Sequence, residues 1–211
     1  EKIEQTLINT DSSEEGLCYI NAEIAYNLAT EDALFQRGKY YAEKGIKNCP
    51  PKHRFLRQSR FTFLYSIYAL EGNEAGKKAY YQLTSNMEIK EKYEFTYKLG
   101  RAISRISRNQ NQSKYIVDND DALFYLNLAI ELSKQLESSK YFTKTIWYYI
   151  EVLNEAKGAE FALLKMEEKI NEHCGGTLNI NCYTLHEKSF KTFQLLYGWG
   201  AYEMADKIGE F

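Results

Sequence analysis

The sequence predicts an all-α chain built as an α-solenoid of about five antiparallel helix hairpins. Three observations carry that reading. Apolar residues recur at three- and four-residue spacing over long stretches, and strict alternation over five or more residues is hard to find. Breakers are scarce: 211 residues hold 12 Gly and 2 Pro, and the prolines are adjacent at Pro50 and Pro51. The longer helices return at a regular step, as they do where helix pairs stack on one another.

The elements follow in chain order. A short helix is expected over residues 1–9. Asp11 to Glu15 then forms a capping signal for a helix running to about residue 29. The next spans about 31–48 and stops at Pro50-Pro51, because a residue before proline is driven out of the helical region. Another starts near Lys52 and ends before Gly72-Asn73. Further helices are expected at about 74–86, 89–107, 119–137, 140–156, 159–173, 183–197 and 201–211. The first helix of each pair begins near 16, 52, 89, 140 and 183, in steps of 36, 37, 51 and 43 residues. The long step holds an insertion at 107–118, rich in Asn, Gln, Ser and Lys, which is expected as a surface loop. Small residues such as Ala122, Ala129 and Ala205 let helix backbones approach closely, and Leu126, Phe124 and Ile130 fill the gap to the next hairpin. One helical-repeat domain over 1–211 is expected.

Composition narrows the class. Hydrophobic residues make up 44% and charged residues 27%, which suits a globular chain and excludes disorder. No apolar run reaches the length of a membrane span, and the acidic, polar first 15 residues do not resemble a signal peptide. The four cysteines, Cys18, Cys49, Cys174 and Cys182, do not look like a disulfide framework, so a reducing cytoplasm is expected. The absent start Met and the Gly209-Glu210-Phe211 end read as a piece of a longer multidomain protein.

Net charge is −2, but it is unevenly spread. Residues 1–51 carry 5 basic and 9 acidic side chains, 52–108 carry 12 and 5, and 109–211 carry 10 and 15. A basic middle between acidic ends is a polarised field that steers ligands. The whole chain is not basic enough for an evident nucleic-acid binder.

Several stretches resemble the tetratricopeptide (TPR) repeat. Gly200-Ala201-Tyr202-Glu203-Met204-Ala205 fits the turn of that pattern, and Leu99-Gly100 fits its first-helix pair. Ala122, Leu126 and Ala129 fit the second-helix spacing. Tyr41 to Pro50 is similar to a second helix with its closing proline, with Gly45 where Ala is usual. The repeats are degenerate, and 74–86 and 159–173 keep apolar spacing only. The resemblance implies a right-handed superhelix whose first helices line a concave groove. It implies a non-enzymatic module that binds a protein or peptide segment there. Two other readings stay open. One is a ligand-sensing regulatory module, similar to the TPR portions of bacterial signalling or transcription-control proteins. The other is a nucleic-acid-binding helical repeat, favoured by the basic middle and opposed by the acidic ends.

The candidate binding residues lie on two first helices. Lys98, Arg101, Arg105 and Arg108 make one stripe at three- and four-residue spacing. Arg54, Arg57 and Arg60 mark the equivalent helix one repeat earlier, with Tyr65, Tyr68, Tyr93 and Tyr97 nearby. Arg forks grip carboxylates or phosphates, and Tyr supplies flat contact area. The expected ligand-binding set is therefore Arg54, Arg57, Tyr65, Tyr97, Arg101, Arg105 and Arg108, and the expected ligand is an acidic or extended segment. A solvated face balanced by Glu91 and Glu94 is the plainer alternative.

Other chemistry finds little support. His173, Cys174, Cys182 and His186 offer two thiols and two imidazoles, which suit zinc. Their spacing matches no standard finger, so thiols and histidines in a helix connection are the simpler reading, and neither a metal nor a cofactor is expected. The three histidines, His53, His173 and His186, have no convincing nucleophile beside them. No Gly-rich phosphate loop or metalloprotease helix motif occurs. Asp120-Asp121 and Glu167-Glu168 read as a helix cap and a solvated face, and Trp147-Tyr148-Tyr149 reads as helix packing. An enzyme is not expected.

Overall fold

The computed structural model describes residues 13–30, 33–108, 119–136 and 140–174. Side chains at 106–108, 167, 170–171 and 173–174 are outside that description. The helices expected at 1–9, 183–197 and 201–211, the 109–118 insertion, the turn at Gly200 to Ala205 and the set His173, Cys174, Cys182 and His186 also lie outside the described residues.

Among the described residues all regular structure is helical, with no strand. Eight helices follow in order: α1 (Glu14–Thr30), α2 (Phe35–Asn48), α3 (Arg54–Glu71), α4 (Asn73–Thr84), α5 (Ile89–Arg108), α6 (Asn119–Ser133), α7 (Lys140–Lys157) and α8 (Ala159–Cys174). Local chemistry sets their ends. Ser13 Oγ caps α1 by accepting from the Gly16 amide at 3.0 Å. Pro50 holds Cys49 extended, at φ −80° and ψ 132°, and so stops α2. His53 caps α3, its ring accepting from the Phe55 amide at 3.4 Å. α6 ends at Ser133, four residues short of expectation, because the Ser133 hydroxyl takes the Ile130 carbonyl at 2.6 Å and the chain tightens into three-residue turns.

The chain divides into two compact units. The first takes Glu1–Met87 and Ala102–Asp118, the second Glu88–Arg101 and Asn119–Phe211. In the first unit α1 packs on α2, α2 on α3, and α1 also reaches α3, which carries α4. Gly45 lets α2 close on α3, since any Cβ there would strike Ser59 Oγ. The Ala usual at that position of a second helix would not fit. In the second unit α7 packs on both α6 and α8. The α5 segment meets α6 at Gly100, where a Cβ would stand 2.9 Å from Leu126 Cγ and 3.2 Å from the Ala122 carbonyl. Ala122, Leu126, Ala129 and Ile130 are fully buried, whereas Phe124 is 37% exposed, its ring edge-on to Tyr125 at 5.0 Å.

The two units share a local device. α3 and α7 are both 18 residues long, and each is followed by one glycine before the next helix begins. Gly72 and Gly158 have φ of 84° and 89°, a region that suits glycine. Each donates its amide back to the helix it ends, Gly72 to Tyr68 O at 3.2 Å and Gly158 to Asn154 O at 2.9 Å.

One expectation is corrected. Cys18 and Cys49 form a disulfide that ties the start of α1 to the end of α2. The bond closes because those two ends meet across the α1–α2 pair, with Cα atoms 4.6 Å apart. Cysteine usage therefore gives no ground for a reducing compartment. Among the described residues no helix is long and apolar enough to cross a membrane.

Candidate functional site

The second unit builds an aromatic ladder between α5 and α7. Tyr93 and Tyr97 are one turn apart on α5, and their rings stack with centroids 6.1 Å apart. From α7, Tyr141 meets Tyr93 edge-on at 5.0 Å, and Tyr148 meets Tyr97 edge-on at 5.6 Å. The Tyr93 hydroxyl bolts the ladder: it lies 2.8 Å from both the Tyr141 carbonyl and Thr145 Oγ1. Burial pushes the Tyr93 phenol up to about 12 and raises Tyr97 as well.

Two cations crown this ladder. The Arg101 guanidinium lies 4.1 Å from the Tyr148 ring centroid and 5.6 Å from that of Tyr97. Lys144 Nζ lies 4.5 Å from the Tyr97 centroid. Such contacts contribute about 0.5–2 kcal/mol each, more as water is excluded. Lys144 is exposed and Arg101 half-buried. Partial burial lowers the Lys144 pKa first, and Arg101 and Lys98 lower it further against the opposing charge of Glu94. Among the described residues neither Arg101 nor Lys144 forms an ion pair with a carboxylate. The second helices differ. At the end of α6 and on α8, Lys134, just past the last helical residue, and Lys169 both lie within 4.0 Å of Glu131 and Glu172, and Lys165 pairs with Glu168. The arrangement on α5 and α7 can receive an anionic group at Arg101 and Lys144.

The expected residues divide between the units. Tyr97 and Arg101 join the ladder, but Tyr97 is 2% exposed and Tyr93 1%, so their rings support the cations from within the core. Tyr68, fully buried in the first unit, likewise offers no free face. Tyr65 is half-buried against Phe35 and Phe61; burial raises its phenol, and the Arg105 charge opposes that shift. Arg54 and Arg57 are exposed on α3, the Arg54 guanidinium 4.5 Å from the Phe55 ring centroid. Arg105 is exposed on the part of α5 that belongs to the first unit. The side chain of Arg108 lies outside the described residues.

Sequence reasoning missed Lys144, and read Tyr148 as helix packing, which its edge-on contact with Tyr97 is, without the cation above it. Tyr141, Lys144, Thr145 and Tyr148 follow at helical spacing on one face of α7, and that spacing was the available signal. The acidic balance of 109–211 concealed it.

No protein-family model, curated protein or solved structure matches this chain.

Proposed function

We propose that the chain is a non-enzymatic, TPR-like α-solenoid module that binds an acidic, extended segment of a protein or peptide along its first helices. One observation carries the reading: Arg101 lies over the Tyr97 and Tyr148 rings and Lys144 over the Tyr97 ring, and among the described residues neither forms an ion pair with a carboxylate. Paired cations over aromatic rings suit a carboxylate followed by an apolar or aromatic side chain. The carboxylate-paired Lys134, just past α6, and Lys165 and Lys169 of α8 support the choice of α5 and α7.

A fluorescein-labelled peptide of alternating Glu and Phe tests it by anisotropy across a salt series. Affinity that falls as salt rises, and that single-stranded oligonucleotides do not compete away, supports the reading. Equal affinity for a Lys/Phe peptide, or stronger binding of the oligonucleotide, excludes it.

A further inference from the structure

The Cys18–Cys49 disulfide sits beside a histidine that the proposed function does not use. Cys18 Sγ lies 3.5 Å from His53 Nδ1, and His53 Nε2 lies 3.5 Å from Glu15 Oε1. The Glu15 carboxylate is 80% exposed and the His53 ring 24%, while Cys18 is fully buried and Cys49 8% exposed. The imidazole therefore spans from a surface carboxylate to a buried sulfur. Three separate elements deliver this set: the first turns of α1 supply Glu15 and Cys18, the end of α2 supplies Cys49, and the turn before α3 supplies His53. The bond itself lies in an apolar cluster with Ala22, Phe55 and Leu56.

We propose that this disulfide is a thiol–disulfide exchange site, reduced in the folded protein by a dithiol with His53 as its proton donor. One thiolate of the dithiol attacks Cys49 Sγ, the less buried sulfur. The S–S bond breaks and its electron pair leaves on Cys18 Sγ. With its Nδ1 protonated, and the Phe55 amide bond to that nitrogen given up, the His53 imidazolium passes the Nδ1 proton to that sulfur. Glu15 holds the ring through Nε2–H, and solvent afterwards returns a proton to Nδ1, which can then accept from the Phe55 amide again once that proton is lost. The second thiol of the dithiol then attacks its own mixed-disulfide sulfur and releases Cys49, whose thiolate takes a proton from solvent. The dithiol is oxidised to its cyclic disulfide, and the protein gains two thiols. A leaving thiol departs faster when its developing charge is stabilised, which is the part His53 plays.

The histidine also caps α3, so the variants must separate the two roles. His53→Asn keeps a side-chain acceptor for the Phe55 amide but cannot deliver a proton; His53→Ala loses both. The oxidised full chain is treated with dithiothreitol in native buffer, quenched by alkylation and read by mass spectrometry, with global unfolding rates measured in parallel. Wild type is expected to be reduced faster than it unfolds. His53→Asn should slow reduction about tenfold near neutral pH and flatten its pH profile, and Glu15→Gln should slow it less. Reduction no faster than global unfolding overturns the proposal. So does an unchanged rate and pH profile in His53→Asn, or free thiols at Cys18 and Cys49 in protein purified under air. In Cys49→Ser, with Cys174 and Cys182 also replaced by serine, thiolate absorbance reports Cys18 alone. Its titration should move upward when His53→Asn is added, and an unmoved titration also overturns the proposal.

Discussion

Lys144 Nζ of α7 lies 4.5 Å from the centroid of the buried Tyr97 ring of α5. Arg101 lies over the same ring, so two like charges share one aromatic platform. Each tyrosine face stabilises its cation, while the cations repel one another.

A pH dependence follows, with a definite sign. The Lys144 pKa is lowered by burial and by Arg101, so its charge is lost at lower pH than an ordinary lysine's. A bound carboxylate favours the ammonium form. Affinity for an acidic peptide should therefore be full below the lowered pKa and fall as pH rises through it. Lys144→Arg should abolish that fall, because guanidinium does not titrate there. The same alkaline loss in Lys144→Arg would assign the effect to another group.

The bolt under the ladder is testable through stability. Tyr93→Phe removes a buried hydroxyl that meets both Thr145 Oγ1 and the Tyr141 carbonyl. Urea denaturation should show a loss of about 1–2 kcal/mol. Thr145→Val should cost a similar amount, and the double mutant less than the two together, because both remove one shared contact.

Much of the fold was legible because helix stops are local. Pro50 ends α2, Gly72 and Gly158 separate their helix pairs, and α5 to α8 all begin at the expected residues. What escaped depends on distance across space. Cys18 and Cys49 are 31 residues apart, on different helices, and nothing in their spacing reports that they meet. His53 read as a histidine with no nucleophile beside it, and its neighbours Glu15 and Cys18 come from α1, far away in sequence. The binding face was half legible. The stripe through Arg101 was visible on α5, but Lys144 and Tyr148 join it only through α5–α7 packing, which the Tyr93 hydroxyl fixes.

The register of α5 against α6 has its own test. Ala122 is fully buried on α6, its carbonyl facing Gly100 of α5. Ala122→Glu should cost several kcal/mol, on the order of 3–5, because a charge there has neither water nor a partner. Lys78→Ala, on the exposed side of α4, should stay within about 0.5 kcal/mol. Equal melting temperatures for the two variants would contradict the α5–α6 packing.

The most direct test of the central claim is isothermal titration of one acidic, aromatic-bearing peptide into wild type and the Arg101→Glu/Lys144→Glu double variant, with thermal melts of both. The account predicts at least a tenfold loss of affinity, about 1.4 kcal/mol or more, with stability changed by no more than the roughly 1–2 kcal/mol of the lost cation–aromatic contacts. Equal affinity for the two proteins, with both folded, would contradict it.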